Sequence, residues 1–419
     1  MERRPAPTGR PAGSRELTHP VVVVGAGAAG LLAALFAARN GRPVILLERT
    51  KDGGRKILIA GGGRCNILPM RVSPERFVTQ SSPNSLRNIL TSWPLDQQIA
   101  FFDAELGMGL VLEADSGKYF PATHRAKDVR DGLVHRVREA GVQLRFGTRV
   151  TDVTPGTNAW TVGLLGGEHI EAGAVILASG GLSVPSTGSD GTGLAIARAL
   201  GHTVHDTYPA LTPLTTSNAA HTGLAGISLD VTLTAPGTHP RFHASGGFLF
   251  THRGYSGPSV LDASHLAVRS RLAGARQSLL VQWTDRDAEG WERELRQGKG
   301  HVATRLERAM PARLAHQLLY EAGLHADQTV AHLDRATRQR LVTTLTTYDL
   351  PWDGDEGYRK AEVTGGGVAL SEVHPKTMES RRHPGLHLCG EMLDAFGPIG
   401  GHNFLWAWAT GRAAGLGVS

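Results

Sequence analysis

The stretch from Val21 to Glu48 constrains this chain more than any other. Four valines, Val21 to Val24, run into the turn Gly25-Ala26-Gly27-Ala28-Ala29-Gly30. An Ala/Leu-rich segment to Gly41 and a second apolar run, Val44 to Glu48, follow. A β-branched run, a glycine turn, a helix-forming segment and another apolar run make a βαβ unit with parallel strands. In such a unit Gly25 permits the tight turn, Gly27 lets the backbone approach a pyrophosphate, and Gly30 packs the helix on the sheet. The helix start, with Ala28 and Ala29 in its first turn, offers unpaired N–H groups and a partial positive charge to an anion. Glu48, about 20 positions on, stands where an acid accepts hydrogen bonds from a ribose. Glycine turns alone are common. The strand before, the helix after and the acid at this distance make this one a dinucleotide site.

The same glycines settle a competing reading. The uncharged run Val21 to Ala38 follows Arg3, Arg4, Arg10 and Arg15, and so imitates a signal peptide or a membrane helix. Its glycine spacing has the better explanation, and no other stretch is long and apolar enough to span a bilayer, so no membrane association is expected. Residues 1–18 read as a disordered, basic, Pro/Gly/Arg-rich tail. Cys65 and Cys389 are the only cysteines, which excludes a disulfide framework and points to a reducing, cytoplasmic setting. The 19 histidines form no HExxH and no CxxC pair accompanies them, so zinc is not expected. Without a GxSxG elbow, an α/β-hydrolase is not expected either.

Further along, AVILAS (174–179) reads as a short buried strand that ends at Gly180-Gly181. Val142 to Val150 reads as another strand. From about residue 206 the texture changes to strand-like segments (SLDVTLTA, GGFLFT, SLLVQW) separated by Gly, Pro and His. It then becomes polar and helical from 286, and returns to GGGVAL, GLHLCGE and a final apolar helix. The expected fold class is α/β. It comprises a Rossmann-like dinucleotide-binding domain built from both chain ends, 19–205 and 360–419. It is interrupted by an inserted β-rich subdomain (206–285) and an inserted helical subdomain (286–359).

The βαβ unit does not distinguish FAD from NAD. The segment Gly53-Gly-Arg55-Lys56 to Ile59-Ala-Gly61-Gly62-Gly63-Arg64-Cys65-Asn66 does more. Three successive glycines ending in Arg-Cys-Asn are neither a helix interior nor a good strand. With apolar flanks on both sides, they are expected to be a loop facing the flavin, with Arg55, Lys56, Gly62, Gly63, Arg64 and Asn66 in contact. Cys65 has two readings. It is a small buried hydrophobe, or a catalytic thiol favoured by Arg64 and Lys56. The expected cofactor surface also includes Arg49, Val150, Ser179, Gly180 and Gly181.

At the far end, Gly390-Glu391 follows a strand and precedes Asp394, Gly400, Gly401 and Asn403. This resembles the closing motif of flavoproteins with two dinucleotide folds. In full, the chain resembles the YhiN/BaiN/RdsA family of NAD(P)/FAD-dependent oxidoreductases, from Val21 to Gly415. The carriers are GAGAAG with Glu48, GRKILIAGGGRCN, GKYFP (117–121), GSDGTGLAIARALGH, VTGGGVALSEVHPKTMES and GLHLCGEMLDAFGPIGGHNFLWAWATG. Two departures from the family pattern stand at Ile67-Leu68-Pro69 and His402-Asn403-Phe404. The resemblance implies FAD, with NADPH or NADH as electron donor. No second GxGxxG marks where that donor binds.

Family members are associated with reduction of a ring double bond in bile-acid metabolism and of uridine in 23S ribosomal RNA. Both add a hydride and a proton across a C=C bond conjugated to a carbonyl, and Cys65 is the expected proton donor. The chain carries a net charge of +6. Between 239 and 276 it has five arginines, Arg241, Arg253, Arg269, Arg271 and Arg276, against one acid, Asp262. These arginines are the expected phosphate contacts of a 23S rRNA substrate, although a solvated basic face would look the same. The alternatives are a small-molecule enone or steroid reductase, and a non-catalytic FAD-dependent binding protein.

Overall fold

A computed structural model describes residues 19–297 and 299–418. The segment 1–18, expected from its composition to be a disordered tail, lies outside the described residues. In chain order, the elements that build the site are β1 (Val21–Val24), α1 (Ala28–Arg39), β2 (Val44–Glu48), α2 (Arg55–Ile59), α3 (Ala126–Glu139), β3 (Gln143–Phe146) and β4 (Ala174–Leu177). After α4 (Thr192–Ala199) and β5 (Val204–Ala210) comes an insertion carrying β6 (Ser228–Ala235), β7 (Phe242–Thr251) and α5 (Pro258–Leu272). The chain closes with β8 (Val363–Val368), β9 (Leu386–Leu388) and α6 (His402–Gly417).

The strands β9, β4, β1, β2 and β3 lie side by side in that order, all parallel. Val21 pairs with Ala174 on one side and with Val44 on the other. Every residue of β1, β2 and β4 is buried, as a parallel sheet covered on both faces requires. The run expected to be one strand from Val142 to Val150 is broken at Gly147, whose φ of +69° turns the chain. β3 therefore ends at Phe146, and a separate antiparallel strand starts at Val150.

α1 and α6 pack through small residues. A Cβ at Gly411 would stand 2.3 Å from the Ala29 carbonyl oxygen, and one at Gly415 would stand 2.4 Å from that of Ala33. The four-residue spacing on both helices puts these approaches on one stripe. The last helix is thus locked onto the first, and a single hydrophobic core takes residues from Val21 to Ala197 and from Val368 to Val418.

A second core lies between Leu214 and Trp352. Its sheet has seven strands, in the order Tyr348–Asp349, Leu280–Gln282, β6, β7, Gly254–Ser256, Leu214–Thr215 and Gly354–Asp355. Helices Ala288–Gln297, Val302–Glu307, Ala312–Glu321 and Arg335–Thr346 fill the polar segment after it. Two features differ from the sequence reading. The 15-residue helix α5 sits inside the stretch expected to be β-rich, because its buried stripe mixes Ser259, Ser264 and His265 with the apolar residues and blurs the period. Two strands from the stretch expected to be helical return to the sheet, and at two residues each they are too short to show alternation. β5 and β8 pair antiparallel between the two cores.

Candidate active site

At the carboxyl ends of β1, β2 and β4, where ligands bind in open α/β sheets, lies a cavity of about 450 Å³. The starts of α1 and α6 both line it. Most residues expected at the cofactor meet there. They are Gly25, Gly27, Ala28 and Ala29 of the first turn, Glu48 and Arg49 after β2, and Val150, with Ser179 and Gly180 after β4. Arg55, Lys56 and Asn66, then Gly390 and Glu391, then Gly400, Gly401 and Asn403, complete that set.

The glycine turn is built as its spacing requires. Gly25 has φ of +102°, and a Cβ there would stand 2.6 Å from the Ala178 carbonyl oxygen. A Cβ on Gly30 would stand 1.8 Å from the Gly25 carbonyl oxygen, so Gly30 seats the helix against the turn and does not line the cavity. A Cβ on Gly27 would meet nothing within 4 Å. The backbone there faces open space, a cradle that a side chain would fill.

Glu48 is buried, and its carboxylate accepts hydrogen bonds from Ala26 N–H at 2.9 Å and from Thr50 N–H and hydroxyl at 2.8 and 2.7 Å. A carboxylate offers about four lone-pair sites, so capacity remains for a ribose hydroxyl. Arg49 pairs with Asp190, which also lies 3.6 Å from Arg149. Burial alone would raise the Asp190 carboxyl, but hydrogen bonds from Thr192 and the two guanidiniums outweigh it and hold it low. Lys56 Nζ donates to Glu391 Oε2 at 2.6 Å and to Ser183 Oγ at 2.7 Å. Glu391 Oε1 accepts from the Thr364 N–H and hydroxyl at 3.0 Å each, and from the Ser183 hydroxyl. Asn403 bonds the Gly397 N–H and carbonyl at 2.9 Å each, and so fixes the closing turn.

Several expected residues lie elsewhere. Gly181 packs against Thr364, where a Cβ would stand 2.3 Å from the hydroxyl oxygen. Asp394 is buried and accepts from Gln80 N–H at 2.8 Å and Ser81 hydroxyl at 2.9 Å, which pins the 79–81 segment. Gly62, Gly63 and Arg64 are exposed outside the cavity wall. Arg64 binds Glu113 at 2.5 Å and lies over the Phe120 ring at 4.2 Å. Cys65 is fully buried beside them, and burial pushes its thiol up to about 12. The expectation of a thiol activated by Arg64 and Lys56 is corrected here, since both cations are engaged with carboxylates and the thiol does not line the cavity.

The five inserted arginines also look different in the fold. Arg253 lies 3.5 Å from Glu356, Arg271 binds Asp355 at 2.5 Å, and Arg276 binds Asp349 at 3.0 Å. Arg269 lies over the Tyr208 ring at 5.7 Å. Among the described residues only Arg241 of the five is exposed without such a partner. A charge count along the sequence misses acids that the neighbouring strands at 348–349 and 354–355 bring alongside.

Among the lining residues not singled out from sequence are Arg359, Lys360 and Glu362. The signal available was a charged run directly before a buried strand. With them the wall holds six basic and four acidic side chains, an excess that suits an anionic dinucleotide.

Fold and site together define a Rossmann-type dinucleotide-binding protein with a second domain inserted. The chain belongs to the HI0933-like family, whose Rossmann-domain description matches residues 19–417. It is 34% identical over 399 residues to a ribosomal RNA dihydrouridine synthase of Escherichia coli K12, covering 94% of this chain and 96% of that protein. It is 30% identical over 408 residues to a 3-dehydro-bile acid delta(4,6)-reductase of Clostridium scindens, covering 94% and 97%. A 3-ketosteroid delta1-dehydrogenase structure from Sterolibacterium denitrificans shares the fold at 12% identity, with a TM-score of 0.50 over 95% of this chain and 98% of that one.

Proposed function

We propose that the chain binds FAD in this cleft and reduces a carbon–carbon double bond conjugated to a carbonyl, with uridine in 23S ribosomal RNA as its substrate. The observation that carries the reading is end-to-end likeness to a ribosomal RNA dihydrouridine synthase, 34% over 94% of the chain, together with the two helix starts that line one cavity. The chain is then a flavin-dependent oxidoreductase, with NADPH or NADH as its reductant. When bound and reduced, FAD supplies the hydride. Gly25, Gly27 and the α1 start hold its pyrophosphate, Glu48 its ribose, and the Lys56–Glu391 pair with Gly400 and Gly401 the region near the ring. In uracil the hydride goes to C6 and a proton to C5, so the protein's own task is to orient the ring and deliver one proton.

Phosphate contact on the RNA falls to cations not neutralised by neighbouring acids. Arg359 and Lys360 are exposed on the cleft wall with no ion pair among the described residues, and Arg241 joins them. A small enone is the second reading, favoured by the relative named a bile-acid reductase. The deciding experiment offers the FAD-loaded protein and reduced nicotinamide an unmodified 23S rRNA transcript and, separately, a steroid enone. Dihydrouridine in the transcript supports the first reading. Reduction of the enone alone supports the second.

A further inference from the structure

We propose that Glu362 is the proton donor of this reduction, a role that rests on the reading of the cleft as a reductase site. The other acids on the cavity wall are committed. Glu48 accepts from Ala26 and Thr50, Asp190 pairs with Arg49, and Glu391 holds Lys56. Glu362 also lines the cavity and is exposed into it, and its carboxyl makes no hydrogen bond or ion pair among the described residues. Its backbone is nonetheless fixed. The Glu362 N–H donates to the Leu211 carbonyl at 3.1 Å, and β8 begins at the next residue.

The surroundings favour the protonated form. Protein crowding pushes the Glu362 carboxyl up and the charge of Asp262 adds to this, while Lys118 and Lys56 pull the other way. Asp262, on α5, accepts from the Ile399 N–H at 2.7 Å and lies 3.8 Å from Arg76. Burial pushes Asp262 itself up to about 6. Two carboxyls in mutual range resist holding two charges, which favours keeping a proton on the pair. The rival donors are poorly placed. Cys65 is buried off the cavity wall, and so is Tyr208, whose phenol burial pushes up to about 12.

In the step, the hydride drawn from reduced flavin forms a C–H bond at the β-carbon with its own electron pair. The displaced π pair takes the Glu362 proton at the α-carbon. Glu362 is left as a carboxylate that regains its proton from water, and the reduced nicotinamide replaces the two electrons used.

The test uses full-length, FAD-loaded Glu362→Gln and Glu362→Asp with unmodified 23S rRNA transcript as the probe. Flavin reoxidation by the transcript should fall by about 10² to 10⁴-fold in Glu362→Gln, the usual worth of a general acid. Reoxidation by ferricyanide, which protonates no carbon, should be unchanged. Glu362→Asp, which keeps a proton, should retain part of the rate. Independently of turnover, infrared titration should show a protonated carboxyl in the wild type that Glu362→Gln lacks. In Asp262→Asn the same carboxyl should titrate at lower pH. Wild-type rates in Glu362→Gln, or no missing carboxyl band, would overturn the assignment alone. A wild-type protein that binds FAD but never reduces the transcript would overturn the substrate reading, and the role of Glu362 with it.

Discussion

Lys56 Nζ stands 2.6 Å from Glu391 Oε2, joining residues 335 positions apart across the cleft. Lys56 comes from α2, soon after the first dinucleotide unit, and Glu391 from the turn before the last helix. Ser183 and Thr364 complete the network, so four separate segments meet at one carboxylate. Removing one partner of a half-buried pair leaves the other charge poorly compensated. Lys56→Met and Glu391→Gln should each cost about 1–3 kcal/mol of unfolding free energy. The double variant should cost less than the sum by at least ~0.5 kcal/mol. Urea denaturation of the four proteins measures this, and simple additivity would show that the pair carries no coupling.

The glycine turn separates binding from folding. Gly27→Val places its side chain in open space, at a φ of −77° that any residue adopts. It should fold with near wild-type stability and lose FAD. Gly30→Val would drive atoms into the Gly25 carbonyl and should fail to fold. Flavin absorbance and circular dichroism on both variants distinguish the outcomes. Stoichiometric FAD in Gly27→Val would remove the pyrophosphate from this turn.

Glu372 provides an acid-dependent lock between His202, just after α4, and Arg382, just before β9. Hydrogen bonding from Arg382 holds its carboxyl down at about 2, against an ordinary 4.5, and His202 Nδ1 lies 3.2 Å away. Because the folded value is depressed, the stabilisation is fully present above pH 4.5 and is lost as pH falls toward 2. Glu372→Gln should lower stability at neutral pH by on the order of 1–2 kcal/mol, reduced because the Arg382 partner is half exposed. The difference from wild type should close as pH falls through that window. A gap that stays constant with pH would mean that packing, not charge, explains it.

Both cysteines are buried. Ellman's reagent should therefore react with neither until the protein unfolds. Cys65→Ala should keep FAD and reduce substrate at close to the wild-type rate, at a packing cost of about 1 kcal/mol. A loss on the order of 10²-fold in turnover with FAD retained would return Cys65 to the chemistry and displace Glu362.

What was legible in the sequence was local. Gly25, Gly27, Gly30 and Glu48 stand at the turn, helix start and strand end that their spacing implies, because these lie within one short unit whose geometry dictates residue type. Gly390, Glu391, Gly400 and Gly401 were reached only through resemblance, since nothing in their spacing states that α6 lies against α1. The Gly62–Cys65 loop misled. Its glycines do have positive φ, but they turn the chain at the surface and send Arg64 to Glu113. The arginine cluster misled for the opposite reason, because strand pairing supplied acids from about eighty positions away, as in the Arg271–Asp355 pair. Glu362 carried no motif at all, because its exposure to the cavity depends on where β8 begins.

The most direct measurement is mass spectrometry of 23S rRNA from a strain deleted for this gene and complemented in turn with wild type and Gly27→Val. The expected result is a uridine position that carries two extra hydrogens in the parent, loses them on deletion, and regains them only with the wild-type gene. A 23S rRNA whose dihydrouridine is identical in parent and deletion strain would contradict the assignment of rRNA as the substrate.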